Sequence, residues 1–388
     1  MRVLITSPIF PPDLGGPSTY VPSIGAFLVE RGHEVKVVAF CSDPAPSGYP
    51  FPVVSIPRGP LPVRYAKAFW HVWREARGCD VVYVQEGLAL LHVLAAKLRG
   101  VPVVIRIMVD GAWEVSHRKG WIADDTITEF QGKRYDNWRV GLVRRLQRRW
   151  WSWCTRIISC SEFLRKLLID TYGVPPEKVQ RILNAYHGPE PDSVTATRAE
   201  ARLELGLDPQ PRYLLSINRL VNWKRVDGVI EALAELPDDV QLLVCGDGDM
   251  LEPWKALARE RGLADRVHFL GNVPHARIPL HIRAADIFVL NSLYEGLSHT
   301  LLEVQALGTP CIASRVCGNP EVVADGETGL LVDPMDSAEL ARAVRKLLDD
   351  PDLRERVVAA GRAQRGRFLR ETTFSEVAEV LARVSAGR

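Results

Sequence analysis

The run Asp286-Ile-Phe-Val-Leu-Asn291, followed closely by Glu295-Gly-Leu-Ser-His-Thr-Leu-Leu-Glu303 and Val304-Gln-Ala-Leu-Gly308, decides the fold. Its first part is a short apolar run of the kind found in a parallel sheet covered on both faces. Its last part is an almost wholly apolar helix with glycine at the position where helices turn left-handed and stop. Strand, loop and helix in that order belong to an α/β sheet, in which ligands bind beyond the carboxyl ends of the strands. The loop from Glu295 is placed there. Glu303 lies among Leu301, Leu302, Val304, Ala306 and Leu307, and an ionised carboxylate in such company is costly unless something hydrogen-bonds it. A ligand rich in hydroxyls would do so.

With 388 residues the chain exceeds one ordinary core and fits two domains. Its 47% hydrophobic and 25% charged residues are those of a soluble globular protein. A net charge of +2 gives no global sign of nucleic-acid binding, and no nucleic-acid partner is expected. The seven cysteines, Cys41, Cys79, Cys154, Cys160, Cys245, Cys311 and Cys317, are odd in number, lack a C-x-x-C pair and fall partly within apparent strands. That pattern suits structural thiols in a reducing compartment. Met1 leads into Arg2-Val-Leu-Ile-Thr6 and then Pro8, Pro11 and Pro12, a strand and turn rather than a secretory signal. No charge-free apolar run is long enough to span a bilayer, so a cytoplasmic location is expected.

Working outward, apolar runs alternate with amphipathic segments through both halves, the mark of doubly wound parallel sheets. Strands are expected at 3–6, 34–40, 53–56, 80–84, 102–107, 156–159 and 178–183, and again at 212–218, 240–245, 267–270, 286–290 and 310–313. The polar, proline-marked run Gly188-Pro-Glu-Pro-Asp-Ser193 reads as the linker between them. After the first strand, Gly15 and Gly16 precede a helix with Pro17 in its first turn; two glycines there admit a ligand to the backbone, and the helix N-terminus favours an anion. An ordinary glycine turn would look the same. Residues 110–140 break the alternation with a polar, aromatic excursion containing Trp113, His117 and Tyr135, and are assigned to acceptor binding. A helix at 138–156 is expected to carry Leu142, Leu146, Trp150 and Trp153 on one stripe and Arg144, Arg145, Arg148 and Arg149 elsewhere. Packing of that stripe on the sheet is the ordinary reading, and contact with an anionic membrane is the alternative that a lipid-linked acceptor would favour.

Arg219 and Lys224 follow the first strand of the second half, in Asn218-Arg-Leu-Val-Asn-Trp-Lys-Arg225. Two cations at that strand end can flank a pyrophosphate, arginine through a forked pair of donors and lysine as a point charge. Together with Gly15-Gly16, Gly246-Asp-Gly248, the Glu295 to Glu303 stretch, Gly308-Thr-Pro310, and Gly318-Asn-Pro-Glu321 with Asp325-Gly-Glu-Thr-Gly-Leu330, they resemble glycosyltransferase family 4 in order and spacing. The resemblance covers nearly the whole chain and is densest in the second half.

The resemblance implies a GT-B fold, with two Rossmann-like, doubly wound parallel-sheet α/β domains facing across a cleft. Residues 1–187 would form the acceptor-binding domain, with a C-terminal helix at about 370–388 crossing back, and residues 188–369 the nucleotide-sugar-binding domain. The donor would be a nucleoside diphosphate sugar and the acceptor a hydroxyl of a glycan or of a lipid-linked molecule, in cell-envelope or exopolysaccharide synthesis. By the same resemblance, Glu303 would hold the donor ribose, and Glu295, with the backbone around Gly296 and Leu297, the transferred sugar. Arg219 and Lys224 would neutralise the diphosphate, which Gly15 and Gly16 would admit closely. Arg219, Lys224 and Glu295 would carry catalysis, with retention at the anomeric carbon and no protein nucleophile. Asp247-Gly-Asp249 and Asp124-Asp125 are acidic pairs, but the first reads as a turn; with the two cations in place no metal and no cofactor is expected.

Two positions depart from the family. Members commonly place a histidine where this chain reads Met108-Val-Asp110, leaving Asp110 or His117 to meet the donor sugar; and His299 stands where small or apolar residues are usual, either meeting a phosphate or capping the helix. Competing readings are a nucleotide-sugar epimerase of the same fold, which releases its sugar without an acceptor, and an inactive sugar-nucleotide-binding subunit. Intact Glu295, Glu303, Arg219 and Lys224 argue against the latter. A dinucleotide dehydrogenase would need the spaced three-glycine fingerprint that Gly15-Gly16 lacks.

Overall fold

The computed structural model describes residues 1–387 except 14, 58, 87–88 and 123–124; Asp124 of the acidic pair lies outside the described residues. The chain divides into two units, Met1–Leu183 with Arg370–Arg388 and Asn184–Leu369.

In the first unit, β1 (Arg2–Ser7), β2 (Glu34–Phe40), β3 (Val53–Ile56), β4 (Val81–Gln85), β5 (Val103–Ile107), β6 (Arg156–Ser159) and β7 (Val179–Arg181) form one parallel sheet in the order β3-β2-β1-β4-β5-β6-β7. Every residue of β4 and β5 is buried, as strands covered on both faces must be. The last helix, Arg370–Ala386, packs Phe374 edge-on against Tyr20 and Phe27 of the helix Gly16–Glu30.

In the second unit, β8 (Arg212–Ile217), β9 (Val240–Cys245), β10 (Val267–Gly271), β11 (Ile287–Leu290), β12 (Cys311–Ser314) and β13 (Leu330–Val332) form a second parallel sheet, ordered β10-β9-β8-β11-β12-β13. Both sheets run outward one way from a first strand, then cross to its other side. The switch points therefore fall between β1 and β4 in one sheet and between β8 and β11 in the other, and in open α/β sheets such points hold the ligand crevice.

Three expectations need correction. The 110–140 excursion is not irregular: it contains the helices Gly111–Arg118 and Ile127–Gly132, each started by a side-chain cap, Asp110 and Thr126. The helix Trp138–Trp153 buries Val140, Gln147, Trp150 and Trp151, whereas Leu142 and Leu146 are exposed, so the apolar stripe drawn through them does not face the core. β13 was not expected at all, because only three residues follow the glycine-rich turn Asp325-Gly-Glu-Thr-Gly329.

Candidate donor site at the carboxyl ends of β8 and β11

Beyond β8 the chain makes a tight 3-10 turn, Asn222–Lys224, and passes through Arg225 in the left-handed region (φ 46°) into the helix Val226–Ala234. Trp223 in that turn is buried, and its carbonyl accepts a hydrogen bond of 2.7 Å from the amide of Leu293. This bond ties the loop after β8 to the loop after β11. Exposed Arg219 holds its guanidinium 5.8 Å from the centre of the Trp223 ring, within cation–π range. Gly246 and Gly248 of the neighbouring turn lie flush on this loop: a Cβ on Gly246 would stand 1.7 Å from the carbonyl oxygen of Asn218, and one on Gly248 would stand 2.4 Å from that of Leu220. The Gly246-Asp-Gly-Asp249 segment is thus a packing turn, with Asp247 accepting from the amide of Gly248. No group of three His, Cys, Asp or Glu side chains among the described residues is arranged to hold a metal ion.

The Glu295 loop is held from several sides. Ser292 donates to Glu295 Oε1 at 2.9 Å, and Lys224 Nζ stands 2.5 Å from the same oxygen, both side chains being mostly buried. Gly318 donates its amide to the carbonyl of Glu295 at 3.0 Å, and a Cβ there would lie 1.9 Å from the carbonyl oxygen of Gly296. Asn184 donates to the carbonyl of Leu297 at 2.7 Å. Ser298 then caps the helix His299–Leu307 through the amide of Leu301, and Gly308 ends it in the left-handed region. The cap is therefore Ser298, and His299 instead sets its ring 5.3 Å from that of His187.

Glu303 is 6% exposed, and His275 Nε2 stands 3.5 Å from its carboxylate. Hydrogen bonding to Glu303 raises the His275 pKa above its ordinary value against a smaller opposing effect of burial. Burial, reinforced by the Glu303 charge, raises that of the Tyr186 phenol. Lys224 and Glu295 are thus in direct contact at the switch point of one sheet, with Arg219 in the loop that carries Lys224 and Glu303, beside His275, in the helix that follows the Glu295 loop. His275 was not singled out in the sequence; its place in the 3-10 turn His275–Arg277 after β10 was the available signal.

Gly15 and Gly16 lie in the other unit, after β1, where Gly15 precedes the helix Gly16–Glu30; a Cβ on Gly16 would meet nothing within 4 Å. Asp110 and Trp113 are both buried. Asp110 is fully buried, accepts from the amides of Ala112 and Trp113, from Gln147 at 2.7 Å and from Tyr172 at 2.7 Å, and so serves to cap a helix and join it to its neighbours. Trp113 is fully buried, with its indole N–H donated to the carbonyl of Asp125 at 3.0 Å. His117 is nearly buried, its ring 5.2 Å from that of Trp113. Glu86 stands at the β1/β4 switch point, directly after β4, and its carboxyl pKa is held well above the usual range by burial and by the Asp110 charge.

Two α/β units, each built on a doubly wound parallel sheet, are the architecture of the GT-B class. The chain belongs to the group 1 glycosyl transferases: residues 197–364 match that family, and residues 15–185 match the glycosyl transferase 4-like domain. It is 39% identical to the alpha-D-kanosaminyltransferase of Streptomyces kanamyceticus over 188 residues, a match spanning 47% of this chain and 48% of that one, about half of each. It is 28% identical to the glycogen synthase of Mycobacterium tuberculosis over 411 aligned positions, spanning 99% and 94%. The fold is shared with Anabaena HepE, solved in complex with UDP-glucose, at a TM-score of 0.77 and 21% identity over 99% of this chain and 100% of that one.

Proposed function

We propose that the chain transfers a glycosyl group from a nucleoside diphosphate sugar to a hydroxyl of a glycan or lipid-linked acceptor, with retention at the anomeric carbon, in cell-envelope or exopolysaccharide synthesis. The observation that carries this reading is the contact of Lys224 with Glu295 at the β8/β11 switch point, with Arg219 in the same loop as Lys224 and Glu303 in the helix after Glu295. The UDP-glucose complex of HepE supports a nucleotide sugar as the donor. Glu303 takes the ribose hydroxyls, and Glu295 with the backbone at Gly296 and Leu297 takes the sugar. Arg219 and Lys224 stabilise the diphosphate as its bond to the anomeric carbon breaks. The new bond forms from the acceptor oxygen on the same face, and the acceptor proton leaves with a diphosphate oxygen. Two fixed cations supply the charge neutralisation for which other transferases use a divalent ion, so transfer needs no metal and no cofactor. Gly15 and Gly16 admit the diphosphate, and the first unit takes the acceptor.

The test is a panel of UDP-, GDP- and dTDP-sugars with candidate acceptors, with and without EDTA. Transfer that persists with EDTA is expected; loss of all transfer on chelation overturns the metal-free reading, and sugar release without acceptor favours an epimerase.

A peripheral membrane location at the cytoplasmic face is a second reading, favoured by the exposure of Trp138, Leu142 and Leu146 beside Arg145 and Arg149 on one face of the helix Trp138–Trp153. No helix among the described residues is long and apolar enough to cross a membrane. Cosedimentation with anionic liposomes at low salt, lost in Leu142→Ser/Leu146→Ser, is expected; no cosedimentation would refute it.

A further inference from the structure

In the second unit a cavity of about 500 Å³ opens between the helices Ile278–Ala284, His299–Leu307 and Pro351–Ala363 and the turn Pro191–Ser193. Its lining is small apolar side chains, such as Ala306 and Ala359, and three arginines, Arg283, Arg362 and Arg365, against one carboxylate, Asp192. Arg283 Nη1 and Arg362 Nη2 converge on one neutral acceptor, the carbonyl of Leu307, at 2.9 and 3.0 Å, and Arg283 Nε donates to the carbonyl of Ala196. Neither of these guanidinium groups has a carboxylate within ion-pair distance among the described residues. Arg365 stands 3.8 Å from Asp192 in an exposed pair. Burial, followed by the charges of Arg362 and Arg198, lowers the pKa of Arg283 below its ordinary value.

Capping the carboxyl end of the helix His299–Leu307 explains one cation, because that end carries about half a negative charge. It does not explain two on the same carbonyl with a third nearby. Each guanidinium has five N–H donors in a planar fork, more than the carbonyls here take up. Room, unbalanced positive charge and spare donors occur together, and what they fit is an anion with several oxygens.

We propose that this cavity is a binding site for a phosphate-bearing small molecule, separate from the donor site. Bound there, a phosphate would bridge Arg283 and Arg362, remove their mutual repulsion and clamp the carboxyl end of the helix that carries Glu303. The proposal stands apart from the assignment of Arg219 and Lys224 to the donor diphosphate, and the test keeps the two separate.

Calorimetric titration with inorganic phosphate would be made on the full chain, on Arg219→Gln/Lys224→Gln, on Arg362→Gln and on Ala359→Glu. The last sets a carboxylate at an exposed position of the lining and leaves every arginine and the helix cap in place. Phosphate is expected to bind the wild type and the Arg219/Lys224 variant alike, and to bind Arg362→Gln and Ala359→Glu about tenfold more weakly, through loss of a charge-assisted hydrogen bond in the first and repulsion by the added carboxylate in the second. Absence of phosphate binding to the wild type, or binding that survives Ala359→Glu and disappears in the Arg219/Lys224 variant, would overturn it.

Discussion

Replacing Lys224 by methionine separates two roles that one side chain holds. Lys224 Nζ stands 2.5 Å from Glu295 Oε1, with the two side chains 18% and 13% exposed. Removing the lysine leaves Glu295 with the Ser292 hydroxyl, and an under-satisfied, mostly buried carboxylate costs about 1–3 kcal/mol. Melting of the second unit is therefore expected to fall by several degrees, at about 2–4 °C per kcal/mol for a unit of this size. If Lys224 also grips the diphosphate, a charge-assisted contact worth about 1.5–3 kcal/mol disappears, and the Kd of the sugar-free nucleoside diphosphate rises about 10- to 150-fold. Adding Glu295→Gln removes the stranded charge, so the double variant regains most of the stability, as coupled neighbours in a double-mutant cycle do. It should not regain nucleotide affinity. Calorimetry and thermal denaturation of the four proteins decide the matter. Full recovery of affinity in the double variant would mean that the bare Glu295 carboxylate had repelled the diphosphate, and that Lys224 is a partner of Glu295 and not of the donor.

Glu303→Gln should weaken nucleoside diphosphate binding by roughly tenfold and lower the His275 titration seen by NMR, because the carboxylate is what raises it. In the wild type, the stabilisation that the raised His275 pKa reflects is full below pH about 6.5 and fades as pH rises through the folded-state value; the variant should lack that dependence. His92, fully buried with its pKa lowered to about 4, acts with the opposite sign: the unfolded state takes up its proton first, so stability falls as pH drops from about 6.5 towards 4. His92→Phe should remove on the order of 3 kcal/mol of that acid sensitivity in denaturant titrations, and equal sensitivity in both proteins would refute the assignment. Gly318→Ala drives a Cβ into the carbonyl of Gly296 and should cost about 1–3 kcal/mol in thermal melts together with donor affinity.

Much of the fold was legible because buried parallel strands are written as continuous apolar runs; β2, β3, β6 and β9 fall at the expected residues. What the sequence hid was partnership. Asp110 stood in a polar stretch and suggested a ligand contact, yet its acceptors are taken up by Gln147 and Tyr172, which come from distant segments. Leu142 and Leu146 repeat with the helical period, but so do Val140, Gln147 and Trp151, and periodicity alone does not say which face finds the sheet. In the donor site, the residue types were visible one by one, whereas the contact between Lys224 and Glu295, the place of His275 beside Glu303 and the strand order that makes β8 and β11 neighbours were not.

The brace between Gly318 and the Glu295–Gly296 backbone is built from main chain on both sides. The backbone at 295–296 is thereby fixed in part without side chains: Gly318 sets where this stretch runs, while the side chain of His299 lies beyond the brace. Substitution at His299 is thus expected to cost the scaffold little, whereas buried Leu297, the helix cap Ser298 and position 318 offer no such freedom. Variation at position 299 would be a record of what the loop presents, and invariance at the glycine a record of geometry.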